Sequence, residues 1–251
     1  MLHSNIPLTM RALPTDNPPQ DSPTASHLPE TARGMLARER MLRTAVDQFG
    51  RHGFDGTTTR TIAAAAGMNL GAIAYYFGTK EDLYVAAAGF LADAIQTRQE
   101  RHLQIMQTAR PAHGAPSAQS DALIDQLVTF LCQQARLLLA DDIPASWVQF
   151  FLRLQAQEGP AFDRLFNQVV APMQDAVEGL VARICEREAT DALPRALTFL
   201  AAHQVMSLRL SDAQLMRRLG WDQLTPERTD QLLDLIAITL RAQFAALAPQ
   251  P

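Results

Sequence analysis

Residues 57–83, TTTRTIAAAAGMNLGAIAYYFGTKEDL, hold two short helix-like segments separated only by Gly67-Met68-Asn69. A helix of about seven or eight residues is marginal in water, because few hydrogen bonds repay its costly first turn, so each segment must be packed against something longer. Thr58 or Thr59 is placed to cap the first segment, which runs through Ile62 to Ala66 and stops at Gly67. Asn69 caps the second, Leu70 to Phe77, with Leu70, Ile73 and Phe77 on one face. Thr79 then opens a long helix reaching about Met106, with Asp82 completing a carboxylate form of the capping box. Upstream, from Gly34, residues Met35, Leu42, Ala45, Val46 and Phe49 recur at helical spacing, and Arg51-His52-Gly53 ends that helix. Two short helices joined by a glycine-containing turn and held between longer ones make a helix-turn-helix.

That unit places its second helix in the major groove of DNA while the first crosses the backbone. Small residues at Gly71 and Ala72 allow close approach to base edges, and a methyl such as that of Ala72 suits a thymine methyl. Tyr75 and Tyr76 offer hydroxyls to phosphates or bases. Thr57, Thr58 and Arg60 stand at the start of the preceding helix, suited to phosphate contacts, and Asn69 holds the start of the recognition helix. Lys80 is the chain's sole lysine; a cation at a helix start opposes the helix dipole, which argues for a phosphate partner. Charge supports this reading. Residues 33–80 carry seven Lys and Arg against three Asp and Glu, whereas residues 81–251 carry 14 against 20. A basic block on an acidic body is the electrostatic footprint of one nucleic-acid-binding face, although a solvated helix surface produces it too.

Residues 1–32 contain six prolines and no apolar periodicity, and are expected to be a disordered tail dispensable for folding. Arg11 is its only cation against Asp16, Asp21 and Glu30, a poor composition for a basic arm. Beyond a Pro/Gly/Ser/His-bearing break at 111–117, helices are expected near 119–140, 143–157, 160–188, 191–210 and 226–247, with Pro172 kinking the third and Trp221 plugging the loop between the last two. No strand-period segment appears, so the fold is expected to be all-α: an N-terminal helix-turn-helix domain over 33–80 joined to a helical domain over 81–251. No P-loop, nucleophile elbow, paired-carboxylate or metal-spaced constellation is present, so neither an enzyme, a metal site nor a cofactor is expected. Asp141-Asp142 reads as a helix cap. Cys132 and Cys185 are too few for a disulfide framework and read as small buried residues rather than redox sensors. With no apolar run long enough to span a bilayer and no export-signal layout, a cytoplasmic, non-membrane protein is expected.

The run T-T-x-R-x-I-A-x-x-A-G-x-N-x-G-x-I-x-Y-Y-F-x-T-K-E-x-L, within a match covering about residues 34–90, resembles the DNA-binding domain of TetR-family transcriptional regulators. Two positions depart from it: Ala74 stands where many members have tyrosine, and Asn69 where many have serine. Further along, Arg153 and Gln155, Ala161-Phe162, Pro172, Leu208-Arg209-Leu210 and Arg218-Leu219-Gly220-Trp221 resemble the CecR-type effector domain, with Leu154 where that group tends to have glutamate. The resemblance implies a homodimer built through the last two long helices and an effector cavity among the middle ones. It also implies a double-stranded operator and a small-molecule effector that releases the protein from it. The dimer face is expected at Leu197, Leu200, Ala201 and Leu208 with Leu232, Leu235, Ile236 and Leu240. Candidate cavity residues are Trp147, Phe150, Phe151, Phe162, Phe166 and Met206, an aromatic stripe that ordinary core packing also explains. Arg153 and His203 are polar groups in apolar surroundings, either ligand contacts or satisfied structural groups. A regulator that binds DNA without a ligand, alongside a protein partner, is the alternative reading.

Overall fold

The computed structural model describes residues 30–108, 116–139, 143–210 and 212–248. The N-terminal tail short of residue 30, the break before residue 116 and the Asp141-Asp142 pair lie outside the described residues. Among the described residues every regular element is helical: α1 (Glu30–His52), α2 (Thr59–Ala65), α3 (Leu70–Tyr76), α4 (Lys80–Thr108), α5 (Pro116–Leu139), α6 (Ala145–Gln155), α7 (Pro160–Leu165), α8 (Ala171–Ile184), α9 (Ala192–Leu210), α10 (Asp212–Leu219) and α11 (Pro226–Ala245). α1 begins at Glu30, ahead of the apolar pattern that opens near Gly34, so residues 30–32 belong to a helix rather than to a tail. No described helix is long and apolar enough to cross a membrane.

Local chemistry sets the boundaries of the first four helices. α1 stops where Gly53 turns left-handed (φ 73°), its N–H donating to Phe49 O at 2.9 Å. Thr58 caps α2 reciprocally: its hydroxyl accepts from Thr61 N at 3.1 Å while Thr58 N donates to the Thr61 hydroxyl at 3.1 Å. Asn69 Oδ1 accepts from Ala72 N at 2.9 Å and starts α3. Before α4, Asp82 N donates to the Thr79 hydroxyl at 3.0 Å and Thr79 N donates to Asp82 Oδ2 at 3.1 Å. The Thr79 hydroxyl and backbone N–H together hold the Asp82 carboxyl below its ordinary pKa.

The helix expected over 160–188 is three pieces. α7 passes into a single π-helical turn, Phe166–Val170, and then into α8, whose second residue is Pro172. Proline removes one N–H and crowds the carbonyl four residues back, and the widened turn just before it accommodates both. α10, which the apolar pattern did not announce, ends at Gly220 (φ 66°), where Trp221 N donates to Met216 O at 2.9 Å. Trp221 lies under the Arg228 guanidinium, 5.2 Å from its ring centroid, and so closes the approach to α11.

Two buried clusters organise the packing. The second is made by α5, α8, α9 and α11 around Leu127, Val181, Ala201, Leu240 and Phe244. The first joins α1 to α4 with α6 and α7, so it runs across residue 80 and ties the helix-turn-helix to the helices beyond it. Phe150 of α6 is fully buried there, stacked 6.0 Å from Phe49 of α1 and edge-on 5.3 Å from Tyr84 of α4. Around that ring α6 is tied down polar group by polar group: Ser146 Oγ donates to Asp47 Oδ1 at 2.6 Å, and Arg153 Nε donates to Gly50 O at 3.1 Å. The approach is close enough that a Cβ on Gly50 would lie 1.9 Å from the Ser146 carbonyl oxygen. Because that neighbour is backbone, Gly50→Ala must push α6 off α1. Chemical denaturation is expected to show a loss of about 1–3 kcal/mol, the usual cost of overpacking a tight contact.

Candidate nucleic-acid interface and effector cavity

α3 presents an outer face of Leu70, Gly71, Ala74 and Tyr75, all exposed, while Ile73 faces the core. Leu70 therefore does not share the buried face of Ile73 and Phe77. It sits on the first turn of a helix only seven residues long, outside the reach of the core. Tyr75 is 82% exposed, and its ring meets Tyr76 edge-on at 5.0 Å. Tyr76 and Ala72 are half-buried against the first core, which fixes the roll of the helix. Asn69 spends its side-chain oxygen on the cap, and Thr58 spends its hydroxyl likewise, although both residues remain at the surface. Arg60 is exposed on α2.

One of the expected DNA contacts, Thr57, is placed differently, and another, Lys80, is also engaged within the chain. Thr57 is 1% exposed, and its hydroxyl donates inward, at 2.7 Å to Gly53 O and 3.1 Å to Gln48 O. It closes the turn after α1 and is not presented to a phosphate. Lys80 has its ammonium 4.1 Å from the Phe54 ring centroid, a cation–π contact that helps hold a cation at the start of α4. The side chain is half-buried.

A cavity of about 150 Å³ opens between α4, α5, α6, α8 and α9. Trp147, Phe151 and Met206 line it, as do Leu91, Ala94 and Ile95 of α4. The other candidates do not. Phe150 is the wedge between α1 and α4, pointing away from the cavity by one helical step from Phe151. Arg153 reaches the C-terminal turn of α1. Phe162 and Phe166 pair with each other at 5.4 Å, with Phe166 packed on the first core. His203 is exposed on the outer side of α9, its ring 3.8 Å from that of Phe199 and its Nδ1 2.8 Å from Phe199 O. The sequence carried a signal for the cavity's polar residues that residue type alone hid. Gln134 continues the apolar spacing Leu127, Leu131 on α5, and Thr198 continues Ala201, Val205 on α9, so each is a polar group standing on an inward stripe.

The expected dimer face also divides. Leu197, Ala201, Ile236 and Leu240 are buried in the protomer's own second core, Leu232 is buried as well, and Leu208 packs half-buried against that core. Leu200 and Leu235 are exposed, and with them Leu193, Phe199 and Ile238, which the sequence reading passed over. Burial raises the thiol pKa of both Cys132 and Cys185, the opposite of what a reactive thiolate needs.

A capped helix-turn-helix sharing its core with a cavity-bearing helical bundle is the architecture of a DNA-binding transcriptional regulator. A profile for the C-terminal domain of the HTH-type transcriptional dual regulator CecR matches residues 121–247, and one for bacterial regulatory proteins of the tetR family matches residues 41–87. The chain is 31% identical over 200 residues to the dual regulator CecR of Shigella flexneri, covering 80% of this chain and 87% of that protein. The chain belongs to the TetR family, with a CecR-type C-terminal domain. Over 63 residues, 25% of this chain and 29% of the relative, it is 41% identical to the regulatory protein RaaS of Mycobacterium tuberculosis. The fold is shared with FadR from Bacillus subtilis, solved in complex with stearoyl-CoA (TM-score 0.54, 15% identity, 84% of this chain and 98% of that one). It is shared too with a transcriptional regulator from Rhodococcus sp. Rha1 (TM-score 0.53, 18% identity, 82% and 96%). These relatives are transcriptional regulators, not enzymes.

The placements separate three kinds of substitution. Lys80→Ala and Arg60→Ala are expected to weaken binding to all DNA sequences alike, each lowering the slope of log affinity against log salt by about one. Tyr75→Ala is expected to change base preference instead, and Thr57→Val to lower the melting temperature with no change in salt slope. Fluorescence anisotropy across a salt series, with specific and scrambled duplexes, separates these outcomes.

Proposed function

We propose that the protein is a repressor acting in the cytoplasm, binding a palindromic operator as a homodimer and leaving it when a small, largely apolar effector occupies the cavity. The observation that carries this is the double duty of two helices. α4 packs Leu83 and Ala87 in the core beneath the helix-turn-helix and, one to two turns on, lines the cavity with Leu91, Ala94 and Ile95. α6 lines the cavity with Trp147 and Phe151 and grips α1 with Phe150, Ser146 and Arg153. A molecule in the cavity therefore bears on both supports of the DNA-reading unit. Residues 33–80 act as that unit and residues 81–251 as the effector and dimer domain. The contact set is Thr58, Arg60, Asn69, Gly71, Ala72, Tyr75, Tyr76 and Lys80, to which exposure adds Leu70.

Half-sites lie about one DNA turn apart, roughly 34 to 36 Å, so a tilt that moves the two recognition helices by a few ångströms leaves one half-site misaligned. Affinity for the effector does nothing by itself; only its difference between the DNA-competent and DNA-incompetent states shifts the equilibrium. A compound that lowers operator affinity tenfold must lose tenfold of its own affinity on operator-bound protein. Titrating effector into free dimer and into operator-saturated dimer tests this. Equal affinities for every cavity-binding compound would leave no release mechanism and would favour the ligand-independent reading.

The dimer is supported by what the protomer leaves uncovered. Leu235 is 61% and Ile238 62% exposed on α11, and Phe199 and Leu200 are exposed on α9, a set of large apolar side chains on the two C-terminal long helices. Leu235→Glu with Ile238→Glu removes part of that face without touching the core. The double variant is expected to sediment as a monomer with an unchanged helical spectrum and to bind the operator at least about tenfold more weakly, each half-site then being held singly.

A further inference from the structure

The cavity walls are almost wholly apolar, yet two buried polar groups on them lack a partner among the described residues. Gln134 is 7% exposed; its Oε1 accepts from Gln99 Nε2 at 2.9 Å, while its own Nε2 has no acceptor among the described residues. Thr198 is 2% exposed, and its Oγ1 is bonded to nothing among the described residues. Both line the same cavity. Leaving such a group unsatisfied costs about as much as a lost hydrogen bond gains, so selection for stability alone favours leucine and valine at these positions. An amide N–H and a hydroxyl projecting from an oily wall are what a ligand's oxygen would use.

From this geometry we infer that the effector is a compact, uncharged, largely hydrocarbon molecule, about the size of one substituted ring, carrying one acceptor oxygen that takes hydrogen bonds from Gln134 Nε2 and Thr198 Oγ1. This rests on the reading of the cavity as the effector site. Size follows from the volume: about 150 Å³ is the space that accepts a benzene-sized molecule. An acceptor, rather than a donor, follows from the free end of Gln134, which can only donate, and a hydroxyl serves equally well in that role. Absence of charge follows from the two groups on offer being neutral in walls too apolar to solvate an ion, while Arg98, the cation on the lining, already has an interaction of its own.

The test uses the full-length protein and three probes of one size: acetophenone, ethylbenzene and benzoate, titrated by calorimetry. Acetophenone is expected to bind at least about tenfold more tightly than ethylbenzene, the worth of a buried hydrogen bond, and more tightly than benzoate. In Gln134→Leu and in Thr198→Val the preference for the ketone is expected to shrink severalfold, and in the double variant to disappear while ethylbenzene binding is kept. Thermal unfolding of each variant is expected to match or exceed that of the native protein, since a buried unsatisfied group is removed. Equal binding of ketone and hydrocarbon would overturn the inference, as would a preference that survives in the double variant, tighter binding of benzoate, or binding of none of the three. Selective binding of acetophenone with no change in operator affinity would uphold the inference and defeat the repressor-release reading, so the two fail separately.

Discussion

The packing of α6 across α1 is the contact on which the remaining architecture depends. Phe150 lies between Phe49 and Tyr84, so one ring from beyond the helix-turn-helix completes the core inside it. α2 and α3, each seven residues long, gain their stability by resting on that core through Ile62, Ala63 and Ile73. The polar ties around the ring act in concert with it. Arg153 supplies a donor to Gly50 O near the C-terminal end of α1, where carbonyls run out of intrahelical partners, and its cation faces the negative end of the helix dipole. Burial raises the pKa of the Tyr84 hydroxyl, which the Arg153 cation partly offsets, and that hydroxyl donates to Gln157 Oε1 at 3.4 Å. DNA reading and cavity are thus supports of one another rather than two bodies on a hinge.

That dependence explains which parts of the protein were legible in the sequence. The helix-turn-helix was readable because its boundaries are decided within four residues: Thr58, Asn69 and the Thr79–Asp82 pair each satisfy backbone groups of the helix they begin. No distant partner enters. Thr57 shows the limit even there. It is chemically identical to Thr58, and only the carbonyls of Gln48 and Gly53 folding over it decide that its hydroxyl points inward.

The helical bundle was legible as helices and not as faces. Phe150 and Phe151 are neighbours of one type, yet a helical step of about 100° sends one to α1 and the other to the cavity. α9 and α11 are apolar on more than one side, and periodicity cannot say which side its own chain covers. Leu197 and Leu200 stand three residues apart and divide between core and surface. Arg153 and His203 looked alike as polar residues amid apolar ones, but one bonds to another helix and the other to its own. These assignments rest on contacts between helices far apart in sequence, which a single chain read in order does not contain.

The same distinction bears on how a cavity persists in a bundle that packs well elsewhere. An apolar void forfeits dispersion contacts on every wall, and collapse of α4, α6 or α9 would recover them. α6 is not free to move inward, because Phe150, Ser146 and Arg153 hold its opposite side on α1. α4 is held by the same core, through Leu83, Tyr84, Ala87 and Ala88. α9 packs against α5 and α8 through Leu197, Ala201 and Val205. Each wall is thus committed on its far side, and the space between them is what those commitments leave. Closing or widening that space would work against the contact that positions α1, and this is the physical basis on which the proposed coupling of the cavity to the DNA-reading helices rests.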